Sequence, residues 1–158
     1  DKEAGQAADT IVYNNLSKMW TRMPSRSKAG SVWFYNGEIE PQLDVMTIPV
    51  GTAGIEPRFV AYGPDSVRRI KRRPAVDLEQ CSAIGDAGDI ILADLSYYLV
   101  GDRQAIQADT SPHYRFQTDV TSIRLTSRLD GRPWIQSAVT PNQGANTLSP
   151  FVALATRA

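Results

Sequence analysis

Two short runs of apolar residues limit what this chain can fold into. They are Ser31–Tyr35 (SVWFY) and Asp89–Ala93 (DIILA). Short, nearly continuous runs of aromatic and β-branched residues are typical of strands that are buried on both faces. Neither run approaches the roughly 20 apolar residues that a membrane-spanning helix needs. The sequence therefore predicts a globular fold built around buried strands, with no membrane association.

An amphipathic helix is predicted before the first of these strands, from about Asp9 to Met23. Its apolar residues recur at helical spacing and form one face: Val12, Leu16, Met19, Trp20 and Met23. Asp9 or Thr10 can cap the first turn. Pro24 ends the helix, because proline lacks an amide hydrogen and clashes with the preceding turn.

The middle of the chain is predicted to be less regular. A short helix is expected over Glu38–Met46, with Leu43 and Met46 facing inward. The segment Thr47–Asp65 is rich in glycine and proline and is predicted to be an extended excursion. Long excursions inside a compact domain are often functional or ordered by a partner.

β structure is predicted to dominate after Arg73. Short strands are expected at Ala75–Leu78, Asp89–Ala93, Tyr97–Val100 and Ala105–Ala108, with Gly101-Asp102 between the last two. The stretch His113–Arg128 is predicted to be a long strand with a bulge near Thr121-Ser122, where the apolar alternation changes parity. Asp130-Gly131 is a favourable two-residue hairpin turn, from which the chain would return through Trp134–Val139. The predicted fold class is α+β.

Charge and cysteine content narrow the function classes. The 158 residues include 17 basic and 17 acidic side chains, so the formal net charge is zero. A dedicated nucleic-acid-binding protein usually carries net positive charge, whereas near-neutrality favours association. The single cysteine, Cys81, excludes an internal disulfide framework and has no second cysteine or histidine near it in sequence for a zinc site.

Residues with catalytic potential are few. The only histidine is His113, and the segment from Gly85 to Asp94 contains three carboxylates, Asp86, Asp89 and Asp94. Hard cations prefer oxygen ligands, but the spacing lacks EF-hand order. We expect His113 to be a structural residue at a strand edge and the carboxylates to belong to a turn. An α+β hydrolase or metal enzyme that uses these four residues remains the alternative.

The densest charge run is Arg68–Arg73 (RRIKRR). Such a run is compatible with nucleic-acid contact, and equally with a solvated loop or with ion pairs to a neighbouring subunit. We favour a solvated or intersubunit role over a DNA-binding module. The predicted subunit contacts are Arg58, Arg68, Arg69, Lys71, Arg72, Arg73, Asp86 and Asp89.

Taken in order, several segments resemble the C-terminal half of tailed-phage major capsid proteins of the HK97-type fold. They are Asp9–Val12, Ser31–Asn36, Arg73–Gln80, Gly88–Tyr98, Phe116–Arg124, Arg128–Gly131 and Ser149–Leu154. Each segment is a weak signal alone, but the ordered series covers nearly the whole chain.

The resemblance implies the mixed α/β axial domain and the closing strands of the peripheral domain. It places the axial domain mostly in residues 1–112, a long β-hairpin in 113–140 and a tail in 141–158. The family's crosslinking asparagine aligns with Asp119, so crosslinking is not expected. The chain lacks an initiator methionine and is interpreted as an excised piece, expected to be a monomer or small oligomer.

The resemblance also implies a function. Family members are structural subunits that assemble with copies of themselves into hexamers and pentamers around double-stranded DNA, with portal, scaffold and maturation protease as partners. The expected protein is a non-enzymatic virion component made in the bacterial host cytoplasm, without cofactors or metals, that contacts packaged DNA non-specifically. An encapsulin-like shell that encloses cargo is the nearest alternative.

Overall fold

The computed structural model describes residues 2–50, 54–57, 60–63 and 67–157. They form two compact units, Asp1–Ser96 with Ile135–Ala158, and Tyr97–Trp134. The helices are α1 (Tyr13–Thr21) and α2 (Glu40–Asp44), with 3-10 turns at Ser27–Ala29, Gly37–Ile39, Leu95–Tyr97 and Phe116–Thr118. The strands are β1 (Val32–Tyr35), β2 (Thr47–Val50), β3 (Gly54–Pro57), β4 (Val60–Tyr62), β5 (Arg68–Ile70), β6 (Arg73–Asp77), β7 (Ile90–Ala93), β8 (Tyr98–Arg115), β9 (Val120–Pro133) and β10 (Phe151–Ala153).

The first unit is organised by a six-stranded sheet of order β10-β7-β1-β6-β5-β4. The two apolar runs of the sequence, now β1 and β7, lie side by side and antiparallel, with Trp33 opposite Leu92. On its other side β1 is parallel to β6, with Trp33 opposite Ala75. Trp33 has no solvent exposure, and its indole N–H donates to the Ile70 carbonyl at 3.1 Å. The prediction of buried strands is confirmed.

Helix α1 contributes to the hydrophobic core as its spacing predicted. Leu16, Met19 and Met23 are buried in one cluster with residues of the sheet. The helix is shorter than predicted, because Asp9 has a left-handed φ of 52° and Val12 is the N-cap. The Val12 amide donates to the Asn15 side chain at 3.0 Å, so Asn15 replaces the predicted Asp9 or Thr10 cap. In the described part of the chain, no helix has the length and apolar character to cross a bilayer.

The predicted helix over Glu38–Met46 forms as a 3-10 turn that continues into α2. Leu43 is fully buried and Met46 is 6% exposed, as expected from the sequence. Part of the Thr47–Asp65 excursion is β structure. β2 and β3 pair as an antiparallel ribbon, and β4 is the edge strand beside β5. Residues 51–53, 58–59 and 64–66 lie outside the described residues, as therefore does the predicted contact Arg58.

A buried ion pair joins the C-terminal end of the chain to the sheet. The Arg157 guanidinium and the Asp89 carboxylate, immediately before β7, are both fully buried. Asp89 also accepts the Gly85 amide at 3.1 Å and the Ile90 amide at 2.8 Å. Arg157 Nε donates to the Thr10 carbonyl at 2.7 Å. One guanidinium thus connects the chain's two ends to the turn that leads into a central strand.

The second unit is a long antiparallel hairpin and differs from the sequence prediction. β8 is one strand of 18 residues, so Gly101-Asp102 is not a turn. The chain reverses at Phe116–Thr118 and Asp119, whose φ is 53°. Asp130-Gly131 lies within β9, opposite Gly101 and Val100.

Gly131 has a packing role instead of a turn role. A Cβ at this position would lie 2.6 Å from the Tyr98 ring, so glycine makes room for the aromatic side chain. An irregularity does occur at the predicted position near Thr121-Ser122, where the pairing passes from Ser111–Ser122 to Arg115–Val120, but the extra residues lie in β8. Two further register shifts, at Asp102/Gln104 and Gln104/Gln107, also have their extra residue in β8. The hairpin therefore occupies 98–133 rather than 113–140.

The segment after Trp134 does not form the predicted returning strand. The Trp134 amide donates to the Tyr97 carbonyl at 2.8 Å and closes the base of the hairpin. Further on, Val139 and Leu148 form an isolated antiparallel bridge. The apolar tail segment becomes β10, which pairs with β7 through Val152 and Leu92.

β5 and β6 are joined by the two-residue turn Lys71-Arg72. Ile70 lies opposite Arg73, and both turn residues are left-handed, with φ of 48° and 64°. Positive φ at both central positions is the geometry of a type I′ turn, which glycine and asparagine favour. The basic run is therefore a hairpin tip formed by residues that adopt this conformation at a cost.

Removing either partner of the buried Arg157–Asp89 pair is expected to destabilise the fold strongly. Arg157→Ala or Asp89→Ala leaves an uncompensated buried charge, so the free energy of unfolding should fall by about 3–5 kcal/mol in urea denaturation. In the double variant, the free energy of unfolding should fall by less than the sum of the losses in the two single variants. Arg124→Ala is the control, because its ion pair with Asp109 is exposed and should contribute less than about 1 kcal/mol. Equal losses for Arg157→Ala and Arg124→Ala would contradict this interpretation.

The Lys71-Arg72 turn predicts opposite effects for two substitutions at one exposed position. Arg72→Gly removes the left-handed strain and should raise the free energy of unfolding by up to about 1 kcal/mol. Arg72→Val places a β-branched residue at φ 64° and should lower the free energy of unfolding by about 1–2 kcal/mol. Thermal unfolding of both variants measures the difference, and equal stability would exclude a strained turn.

Candidate functional site

The carboxylates considered as metal ligands or acids have separate roles in the structure. Both oxygens of Asp89 bind Arg157 and backbone amides. Asp94 is buried, and its Oδ1 accepts the Ser96 amide at 3.1 Å and the Ser96 hydroxyl at 2.7 Å. Asp86 is exposed on the turn before Asp89. Within the described ranges, no group of three or more His, Cys, Asp or Glu residues is arranged to hold a metal ion.

The remaining candidates for catalysis have the environments of structural residues. His113 is exposed on β8 in the hairpin unit, whereas Asp86, Asp89 and Asp94 belong to the other unit. Burial raises the pKa of the Cys81 thiol above its ordinary value, and the charges of Asp77 and Asp89 raise it further. A raised pKa lowers the thiolate fraction, so Cys81 is a poor nucleophile at neutral pH.

A polar cavity of about 300 Å³ lies beside α1 and β10. Its lining includes Lys2, Glu3, Lys18 and Arg22. The Lys18 ammonium is paired with the Glu3 carboxylate at 2.7 Å, so these two charges neutralise each other. The lining contains no histidine or cysteine, and its one carboxylate is engaged in this pair.

The first arginine of the basic run is internal rather than available to another subunit. Arg68 is 4% exposed. Its guanidinium pairs with Glu40, lies 3.1 Å from Asp44 Oδ1, and stacks over the Tyr35 ring with its centre 5.7 Å from the centroid. The prediction of Arg68 as a subunit contact is therefore corrected, because its charge is satisfied by α2 of the same chain.

Asp89 is corrected for the same reason. It is buried against Arg157, so it cannot serve as a surface contact. Of the acidic pair predicted at this turn, Asp86 alone is exposed. Sequence analysis missed Arg157, although one signal was present: it is the sole charged side chain in the apolar and small-residue segment Phe151–Ala158.

The rest of the basic run lies at the surface near α1 and the loop that precedes β1. Arg72 is exposed at the hairpin tip. Lys71 donates to Ser17 Oγ at 3.2 Å and lies 5.8 Å from the Tyr13 ring centroid. The Arg73 guanidinium donates to the Ala29 carbonyl. These contacts bring the tip beside residues 22–30, which include the cations Arg22, Arg26 and Lys28.

The hairpin unit has one apolar and one polar face in its middle section. The pairs Ala108–Leu125 and Thr110–Ile123 share one face. The intervening pair Asp109–Arg124 is on the other face and forms an ion pair of 2.8 Å. Leu125 and Ile123 are 70% and 68% exposed. An amphipathic two-stranded ribbon is marginally stable alone in water, so its apolar face is suited to being covered by further protein.

Comparisons with known proteins place this arrangement in a family. The phage capsid family model matches residues 1–144. A search of curated proteins gives no match. Among solved structures, the chain is similar to one described as "Capsid of empty GTA particle computed with C5 symmetry", with a TM-score of 0.56 and 14% identity.

The structural match covers 81% of this chain and 42% of that capsid chain, so this chain spans less than half the length of its structural relative. At 14% sequence identity, the structural similarity is evidence for a shared fold. It confirms the predicted α+β class and HK97-type architecture. The family match extends over most of the sequence. This chain therefore belongs to the phage capsid family.

Proposed function

We propose that this capsid subunit assembles with copies of itself into the hexamers and pentamers of an icosahedral phage head that encloses double-stranded DNA. The observation that carries the proposal is the phage capsid family match over residues 1–144. The fold shared with a solved capsid chain supports it. In the full head, portal, scaffold and maturation protease would be its other partners, and the virion its location, after synthesis in the host cytoplasm.

The described residues also support a structural rather than a catalytic role. The buried charged groups Arg68, Asp89 and Arg157 are engaged in ion pairs within the chain. Asp94 is bonded to the residue two positions ahead. Catalysis needs convergent groups directed at a substrate, and these side chains instead fix the fold.

We assign the hairpin of β8 and β9 to the closing strands of the peripheral domain, and the six-stranded sheet to the axial domain. The exposed face with Ile123 and Leu125 supports this assignment, because it offers apolar surface that a larger domain would cover. Association in water is driven mainly by burial of such surface. The hairpin is thus the part of the chain that most needs further protein around it.

Expression of the native coding sequence tests the assembly proposal. Negative-stain electron microscopy should show capsomers and closed shells, and shells formed with the packaging components present should protect DNA from nuclease. Sedimentation gives an independent measure of particle size. A soluble protein that stays monomeric with scaffold, portal and protease present would contradict the proposal.

A charge on the apolar face of the hairpin should impair assembly of the full protein. Leu125→Asp places a carboxylate where we expect apolar contact. Folding or association should therefore become less favourable by about 3 kcal/mol. Thr126→Asp is the matched control, because Thr126 pairs with Gln107 on the polar face. The readouts are soluble yield and the fraction of subunits in particles. Equal effects of the two variants would show that the apolar face is not covered.

A further inference from the structure

The first unit carries opposite charges at the two ends of its central strands. β1 and β6 are parallel, with Phe34 opposite Val76, so both strands begin at one end of the sheet and finish at the other. The end where they begin is here called the basic end, and the end where they finish the acidic end. From Arg73 to Asp77 the two ends are separated by about 13 Å along β6.

The basic end combines two segments that contain no acidic residue. Residues 22–30 precede β1 and include Arg22, Arg26 and Lys28, while residues 69–73 include Arg69, Lys71, Arg72 and Arg73. The bond from Arg73 to the Ala29 carbonyl holds the two segments together. Arg26 and Arg72 are both exposed. Asp94, which lies close to Gly30, is buried and bonded to Ser96.

The acidic end is built from the segments that follow β1 and β6. Glu38 comes after β1, Asp77 is the last residue of β6, and Glu79 follows β6. All three are exposed. The Leu78 amide donates to the Tyr35 carbonyl at 2.9 Å and keeps these segments adjacent.

The antiparallel strand β7 adds a further carboxylate to the acidic end. Its first residue, Ile90, lies opposite Tyr35, so the preceding turn is located at this end. Asp86 on that turn is exposed. The arginine next to it, Arg157, is buried in its pair with Asp89 and gives no surface countercharge.

We infer that the basic end of one subunit binds the acidic end of the next copy of this chain, in a head-to-tail contact around each capsomer. This inference rests on the proposed assembly function and names the surfaces that carry it. Complementary patches at different places on one chain make a heterologous contact, and heterologous contacts close into rings when the rotation allows.

Charge balance favours a second copy over a polyanion as the occupant. The whole chain has 17 basic and 17 acidic side chains. A nucleic acid carries only negative charge, so it could pair with the basic end but would leave the acidic end without a partner. A neighbouring subunit supplies an acidic end of matching chemistry. Exposed ion pairs are individually weak, so the contact sets orientation and partner choice more than affinity.

Charge reversal in the full protein tests the inference. The basic-end variant carries Arg26→Glu and Arg72→Glu, and the acidic-end variant carries Glu79→Lys and Asp86→Lys. Each should reduce the fraction of subunits in capsomers and shells by roughly tenfold at physiological salt, because like charges then face each other. The variant with all four changes has complementary ends again and should recover to within about threefold of the original protein.

The matched control reverses two exposed arginines of the hairpin, Arg103→Glu and Arg128→Glu, with the same change in net charge. It should assemble like the original protein. Circular dichroism and thermal unfolding verify that every variant is folded, which the exposure of the substituted residues favours.

Three outcomes would overturn the inference. In the first, the variants with two reversed charges assemble normally. In the second, the variant with all four changes is as defective as the variants with two. In the third, the basic-end variant loses only DNA retention, which would assign that end to nucleic acid. In each of these cases the original protein still forms shells and the proposed function stands. If the original protein forms no shells with its partners present, the proposed function fails and the inference with it.

Discussion

The buried pair of Arg157 and Asp89 is the contact on which the architecture of the first unit depends. Its guanidinium also binds the Thr10 carbonyl, so the segment before α1, the turn before β7 and the C-terminal segment share one charged group. Two ions removed from water have a large desolvation cost, which is offset only by close pairing and by satisfied hydrogen bonds. Asp89 meets that condition with two backbone amides besides its arginine. The ion pair thus holds the turn that leads into β7, while backbone pairing places β7 beside β1.

A second buried arginine explains why the basic run is not uniform. Arg68 is covered by α2 and the Tyr35 ring, while Arg72 is exposed at the tip of the same hairpin. Arg68 belongs to β5 and shares the buried face of that strand with Ile70, whereas Arg72 belongs to the turn that follows the strand. Charges that look equivalent in sequence therefore divide into Arg68, which is buried in ion pairs within the subunit, and others that lie nearer the surface. A shell protein needs both kinds, because it must fold before it can associate.

The hairpin unit illustrates where local patterns mislead. Asp130-Gly131 has the composition of a tight turn, yet it lies in mid-strand because Tyr98 requires the space above Gly131. The reversal occurs instead at Asp119, a residue that tolerates a left-handed conformation. Residues that favour turns, such as glycine and aspartate, also occur within strands, so their presence does not by itself locate a turn. The cross-strand partner decides between turn and strand, and that partner lies some thirty positions away in the chain.

The sequence by itself determined the buried strands β1 and β7, the apolar face of α1, the α+β class and, through an ordered series of short segments, the capsid family. Those features depend on local periodicity and on residues close together in the chain. Tertiary structure alone decided that Arg68 and Asp89 are internal and that Arg157 is the buried partner of Asp89. It also decided that basic and acidic segments occupy opposite ends of one sheet. Burial and charge pairing depend on which distant segments meet, and the parallel pairing of β1 with β6 brings together residues about forty positions apart.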